Sequence, residues 1–485
     1  MSSPPPHRSG PRLQDRSVFD GLDRRSVGYG DLVAHSVAVI CPSASALSTA
    51  FSLHRVVGPG AWLSVLIGVG LCWVLAAAFG EFASRFTATG SLYTYAAKGL
   101  GPTAGLVVGC ALLLGYLSLV DYGLADASNQ VGRAAVAFGG AQPSAPVLAL
   151  LVVLGAGVCL LVLWRGIRWS SRFAFSAEAV ALATLLVVLA TIAARHGVDL
   201  PAALSLEGAE PGKVLRGAAM VMTVVIGFES CAALAVEAEQ PFRSVPRAMR
   251  TSVLITGGLL LGSTLVAGPI ADHRLRGRWF APGEVVSFPD GLVLLAIALS
   301  YVALAVCAWT ALSRLVFAFA REGILPAVLG RTGRRSAIPG AALVATLPVV
   351  LAPPLVALAR GDAPGAASYD MLVWATVILM TAYGITALAV VPFTHRLGEF
   401  TARTTTLACT GVVGTAVLTW VDLRTNFAQG DHDVLTVLAA VAVAGLCWRA
   451  VLARRDAVSG IGLHEAPLRS EVLVPGEPPG GEQRG

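Results

Sequence analysis

The sequence predicts an all-α polytopic membrane protein with twelve transmembrane helices. Of its 485 residues, 55% are hydrophobic and 13% charged, and the mean hydropathy is +0.72, a balance that no soluble globule needs. The apolar residues also gather into twelve runs, each near the roughly 20 residues that cross a hydrocarbon core. The net charge of +6 would suit a nucleic-acid partner only if it were clustered. Instead it follows the loops: 25 of the 35 Lys and Arg residues fall on one side of the alternating connections and 10 on the other. This is the positive-inside pattern of a multi-pass protein in the cell (cytoplasmic) membrane with both termini cytoplasmic. Arg274, Arg276 and Arg278 run against it.

In chain order, a polar, Pro/Arg-rich stretch (1–26) comes first. It lacks an apolar core, so it reads as a disordered cytoplasmic tail and not as a cleavable signal peptide. The first run, 30–52, is interrupted at Cys41-Pro42-Ser43-Ala44-Ser45, and the second, 61–84, ends in basic sequence. The third, 102–127, is long enough to tilt; 146–164 and 172–194 follow. The sixth, 214–237, is interrupted at Ile226-Gly227-Phe228-Glu229-Ser230 and leads through 249–271 to the long eighth run, 289–320. Runs 338–360, 369–394, 404–422 and 433–452 complete the set, and 456–485 reads as a second disordered tail. The outside loops near 195–213 and 272–288 are too short for a soluble core. All eight cysteines fall within runs, without the close pairing or His partners of a metal site. Seven read as small buried residues; Cys41 lies at the first break.

Both interruptions come about a dozen residues into their runs, and five runs separate the two starts. An odd number reverses the direction of crossing, so 27–194 and 214–394 read as inverted repeats, with 404–452 appended. A broken helix leaves N–H groups unpaired at one fragment's start and C=O groups at the other's end. The first suit a carboxylate, the second an ammonium or cation. Paired breaks therefore suit a zwitterion.

Three segments carry a family resemblance: GEFASRFTATGSLYTYAAKGLG (80–101), GFESCAALAVEAEQPFRSVPRA (227–248) and SRLVFAFAREGILPAVLGR (313–331). In this order and at these runs they resemble the second-span exit, the sixth span with its loop, and the eighth-span exit of amino acid–polyamine–organocation permeases. The resemblance covers about 27–455. It implies the leucine-transporter-like fold of two inverted five-helix repeats, with a substrate site between broken helices 1 and 6. The chain departs from it at the first break, where Pro42-Ser43-Ala44-Ser45 stands in place of Gly-Ser-Gly. Its only lysines, Lys98 and Lys213, lie outside the fifth run, where some members carry a proton-linked lysine.

The expected function is secondary active transport of an amino acid or related amine by alternating access, without cofactor, metal or nucleic acid, and with a proton or sodium ion as coupling partner. A polyamine or organocation exchanger of the same fold is the alternative. An integral-membrane enzyme would need clustered His, Asp or Glu, a sensor a soluble output module, and a primary pump a Gly-x-x-x-x-Gly-Lys loop; none is present. The expected substrate-binding residues are Cys41, Pro42, Ser43, Ala44 and Ser45 from the first break, and Ile226, Gly227, Phe228 and Glu229 from the second. Tyr116, Trp309 and Tyr383 are candidates to cover or gate the site. Glu229 and Asp121, charges placed mid-run, are candidates for coupling. Glu178 and His35 read more simply as packing groups. Glu81 and Arg85, four apart on one helix face, form a candidate inner-gate pair. Arg243, Arg247, Arg314 and Arg321 read as topology determinants.

Overall fold

The computed structural model describes residue 19 and residues 21–274, 290–333, 337–362, 364–428, 430, 433–454 and 460–464. Eleven helices among them are long and apolar enough to cross a membrane, and a twelfth crossing is a bent pair. That pair is α1 (Tyr29–Ile40) and α2 (Pro42–Val57), meeting at 41°. Next come α3 (Ala61–Ala83), a short α4 (Leu92–Leu100), α5 (Pro102–Ala137), α6 (Ala145–Trp164), α7 (Ile167–His196) and the single turn α8 (Leu200–Ala203). The second half holds α9 (Pro211–Val225), a 3₁₀ turn at Ser230–Leu234, α10 (Pro241–Arg274) and α11 (Asp290–Arg321). Then follow α12 (Gly340–Arg360), α13 (Pro364–Leu397), α14 (Ala402–Ala428) and α15 (Asp433–Ala453). The expected all-α, twelve-crossing architecture is thus present. The arginines expected to oppose the charge rule fall mainly in 275–289, outside the described residues.

Local chemistry explains the boundaries. Pro42, Pro102 and Pro211 sit in the first turns of α2, α5 and α9, where a missing N–H costs nothing and the fixed φ already suits a helix. The third and eighth runs, expected to be long, are single helices of 36 and 32 residues. Helix α5 is the central post, packed along α11 and α13. Lipid gives apolar helices no hydrophobic reason to associate, so close approach of small residues must hold them together. Gly68 of α3 is such a point, since a methyl there would meet the side chain of Val221 on α9. Helices α6, α14 and α15 form the rim and turn Leu150, Leu161, Val413, Trp420 and Val443 outward. Cys409 and Cys447 lie exposed on this rim, whereas the sequence suggested that they were buried. Helix periodicity alone does not separate a lipid-facing stripe from a bundle-facing one.

Both ends of the described chain meet on one face of the bundle, called here the tail face. Phe19 and Leu22 pack with Val236 and Phe317, and Leu463 covers them. Residue 19 and residues 21–26, expected to belong to a disordered tail, thus bring two large apolar side chains, Phe19 and Leu22, against Phe317 of α11. Ser26 and Val27 donate their N–H groups to Glu237 O at 2.9 and 3.1 Å, and Glu239 N donates to Val27 O at 3.0 Å. This short strand-like pairing, with a parallel bridge between Val27 and Ala238, ties the start of α1 to the loop before α10.

Candidate functional site

Helix α1 ends because Cys41 adopts a left-handed conformation, φ 56° and ψ 50°, which few side chains other than Gly enter without cost. Its N–H still closes the last turn on Val37 O at 2.9 Å. Pro42 then starts α2 in a new direction. Helix α9 ends at Ile226, extended at φ −56° and ψ 148°, and Gly227 turns the chain at φ 93° before the 3₁₀ turn begins. The two interruptions read from the sequence are therefore real breaks of helices 1 and 6.

The breaks meet. Ser36 Oγ of α1 donates to Phe228 O at 2.9 Å, and a methyl at Gly227 would collide with Val39 Cγ1. Gly227 is thus constrained twice, by its positive φ and by the approach of α1. Gly227→Ala is expected to lower stability by at least about 2 kcal/mol, from left-handed strain and overpacking together. Gly258→Ala in α10, with open space around it, is expected to leave stability unchanged or slightly raised. Apparent melting temperatures of the two purified variants check this difference.

Two polar clusters flank the breaks. On the second break, Glu229 is completely buried and accepts the Tyr116 hydroxyl of α5 at 3.0 Å and the Tyr383 hydroxyl of α13. Tyr383 in turn accepts the Gly227 N–H at 2.9 Å. The loosened backbone, a phenol and a carboxylate thus form one chain of hydrogen bonds. Phe79 of α3 stacks on Phe228 at 6.0 Å and meets Tyr383 edge-on at 5.6 Å, sealing this cluster from the side.

On the first break, the Glu178 carboxylate of α7 sits at the start of α2. It accepts from the Ser43 hydroxyl, from Ser43 N at 3.4 Å and from Ser300 Oγ of α11 at 2.6 Å. Cys41 Sγ lies 3.0 Å from the same Ser300 hydroxyl, and Ser45 Oγ donates to Cys41 O at 2.9 Å. The positive end of the helix 1 fragment thus already receives a carboxylate, as the dipole and its free N–H groups favour.

The structure therefore brings together Cys41, Pro42, Ser43, Ala44, Ile226, Gly227, Phe228, Glu229, Tyr116 and Tyr383, all buried, with Ser45 at the margin. Trp309 is buried elsewhere and donates its indole N–H to Thr346 of α12 at 2.8 Å. Asp121 is buried within α5, and its Oδ1 has no hydrogen-bond partner among the described residues. The same holds for His35 Nε2. A cavity of about 430 Å³ lies apart from the breaks, lined by Gly212, Leu215, Arg216, Trp420 and Arg424 among others.

Ion pairs gather toward the tail face. Arg85 contacts Glu81 at 2.9 Å, as its spacing suggested, and also reaches Glu399 beyond α13 at 2.7 Å. Arg314 is not a solvent-facing topology charge. It is buried and grips Glu237 with two N–H groups at 2.8 and 2.9 Å. Sequence reasoning also missed Ser300 and Phe79. One is a serine in an apolar run and the other a phenylalanine among many, so neither carries a signal of its own.

The model of the family described as amino acid permease matches residues 32–446. Among curated relatives, cationic amino acid transporter 9, chloroplastic, of Arabidopsis thaliana is 27% identical over 64% of this chain and 58% of its own length. The branched-chain amino acid permease BcaP of Lactococcus lactis is 25% identical over 66% of this chain and 71% of its own. Human cationic amino acid transporter 4 is 25% identical over 68% and 54%. The chain thus spans little more than half the length of these cationic amino acid transporters.

Proposed function

The chain belongs to the amino acid permease family, and on that premise we propose that it carries an amino acid or a related amine across the cytoplasmic membrane as a secondary transporter. The observation that carries this reading is the meeting of two helix breaks in the buried interior, each beside a hydrogen-bonded carboxylate, Glu178 at the first and Glu229 at the second. In lipid, loosened backbone persists only where protein or a water-lined path satisfies it. A pair of such breaks provides both an anion-seeking and a cation-seeking end.

In this reading the substrate's carboxylate is drawn to the start of α2, among Cys41, Pro42, Ser43, Ala44 and Ser45. Glu178 accepts from Ser43 at that same helix start, so in this reading it gives way to the substrate's carboxylate or is neutral when the substrate binds. The substrate's ammonium meets the carbonyls of the second break, Ile226 to Phe228, with Glu229 nearby. Tyr116 and Tyr383 hold Glu229 and close over the site, while Trp309 supports the bundle from α11. Glu229 and Asp121 are the groups proposed to link a proton or sodium ion to transport. Residues 27–194 and 214–394 act as the two inverted repeats that rock against each other, with both ends of the chain cytoplasmic.

Similarity to branched-chain permeases and to cationic transporters leaves two side-chain classes. The phenylalanines around Glu229 and its two phenol partners favour an uncharged side chain. A cationic substrate needs a counter-charge, and one observation favours that second reading: Asp121, with an unpartnered carboxylate oxygen, lies about 7.5 Å along α5 from Tyr116.

A thermal-stability series of the purified protein against amino acids, polyamines, sugars and lipids tests the proposal. A ligand at one hundred times its Kd stabilises the native state by about 2.7 kcal/mol, enough to raise the melting temperature measurably. Amino acids are expected to give the largest shifts. Shifts confined to sugars or lipids would remove the reading.

A further inference from the structure

Residues 460–464 lie across the tail face, far along the chain from everything they touch. The Glu322 carboxylate, just beyond α11, accepts two consecutive backbone N–H groups from this segment, Gly462 N at 3.1 Å and Leu463 N at 2.8 Å. Tyr93 of α4 donates its hydroxyl to the same carboxylate and lies 3.3 Å from Gly462 N. Ile461 is buried and Leu463 packs on the cluster of Phe19, Leu22, Val236 and Phe317. The His464 ring meets Phe86 edge-on at 5.5 Å. Gly462 has φ 82°, and a methyl there would press on Ala97 of α4. The segment is therefore fitted to its seat by backbone, side chain and conformation together.

What the segment joins matters more than how tightly it sits. On one side are the end of α3 and the whole of α4. On the other are the end of α11, the loop before α10 and the stretch before α1. Those last elements carry the two broken helices and the Arg314–Glu237 pair. An opening of the tail face that parts these two sides would have to break the segment's contacts with both.

We propose that residues 460–464 are a latch: a segment of this chain that binds in a seat formed by Phe86, Tyr93, Ala97 and Glu322 and holds the tail face closed, slowing transport. The inference rests on the transport reading above. The segment also sits directly on Glu322. Burial pushes its carboxyl up to about 7, although the Tyr93 hydroxyl, the two backbone N–H groups and the Lys98 charge all favour the anion. The titratable and charged groups that face it among the described residues are Tyr93 and Lys98 from α4.

Hydrogen–deuterium exchange on the full chain in nanodiscs reads docking without any substrate. The Gly462 and Leu463 amides are expected to be protected in the wild type. That protection should disappear in Ile461→Asp, which places a charge in an apolar seat, and fall in Glu322→Gln, which keeps the shape but weakens the acceptor. Initial uptake of an amino acid into proteoliposomes is expected to rise by at least about twofold in Ile461→Asp, as the closed population loses its extra contacts. Unprotected amides in the wild type would overturn the docking. Protection lost in both variants with uptake unchanged or reduced would overturn the latch while leaving the transport reading intact. A wild type that exchanges as expected but carries no amino acid would remove the transport reading, and the latch with it.

Discussion

Glu229→Gln is expected to lower amino acid uptake into proteoliposomes by at least about tenfold while leaving the protein folded. The reason lies in what the carboxylate does for its neighbours. It takes both phenol hydroxyls, Tyr116 from α5 and Tyr383 from α13, and Tyr383 is itself oriented by the Gly227 N–H of the broken helix. Three elements, α5, α13 and the second break, are thus held by one side chain. Each neutral hydrogen bond is worth about 1 kcal/mol net, but bonds to a charged acceptor reach about 1.5–3 kcal/mol. An amide of the same shape keeps one acceptor oxygen and replaces the other with a donor, so one phenol must turn away. Glu229→Leu leaves both hydroxyls buried without an acceptor, at about 1–3 kcal/mol each, and is expected to reduce the folded yield as well. Tyr116→Phe and Tyr383→Phe separate the two bonds, and Tyr383→Phe should do more harm because it also strands the Gly227 N–H. If proton coupling passes through Glu229, the Gln variant also loses the pH dependence of its residual uptake. Wild-type rate and pH profile in Glu229→Gln would end the coupling role.

The sequence disclosed these breaks because a break is written in residues that a continuous helix avoids. Pro42 cannot donate to a ladder, Gly227 has no β-carbon, and Glu229 has no place in lipid unless protein surrounds it. The ends of most spans were legible for a similar reason, since Pro and Gly punctuate them. What was not legible is who faces whom. Tyr116 and Trp309 look alike in the sequence, as aromatic residues in long apolar runs, yet one reaches Glu229 and the other turns to Thr346. Which side of a helix faces a partner is settled by packing angles that no single run encodes. Arg314 shows the same gap for charge. In sequence it is one of several arginines at a span end, and only the fold supplies Glu237, seventy-seven residues away, as its buried partner.

That pair carries the largest expected effect on stability. Arg314→Leu alone, or Glu237→Leu alone, is expected to destabilise the protein by about 3–5 kcal/mol, because each leaves one charge buried without its counter-ion. The double variant should recover most of that loss, since two leucines remove both charges and the cost of keeping them from solvent. The exposed network of Arg85 with Glu81 and Glu399 makes the contrast. Its side chains are 25%, 16% and 53% accessible, and pairs that water reaches contribute only about 0–1 kcal/mol, so Arg85→Ala should shift the melting temperature little. Thermal unfolding of the four variants in one detergent decides the matter, and equal losses in the single and double variants of the buried pair would contradict it. Recovery of stability in the double variant need not restore transport. The same Glu237 carries the carbonyl that receives Ser26 and Val27, so its side chain fixes where the start of α1 is pinned. Leucine fills the space but gives no direction. The double variant is therefore expected to be stable yet to close its tail face less completely, a separation of folding from gating that a purely structural ion pair would not produce.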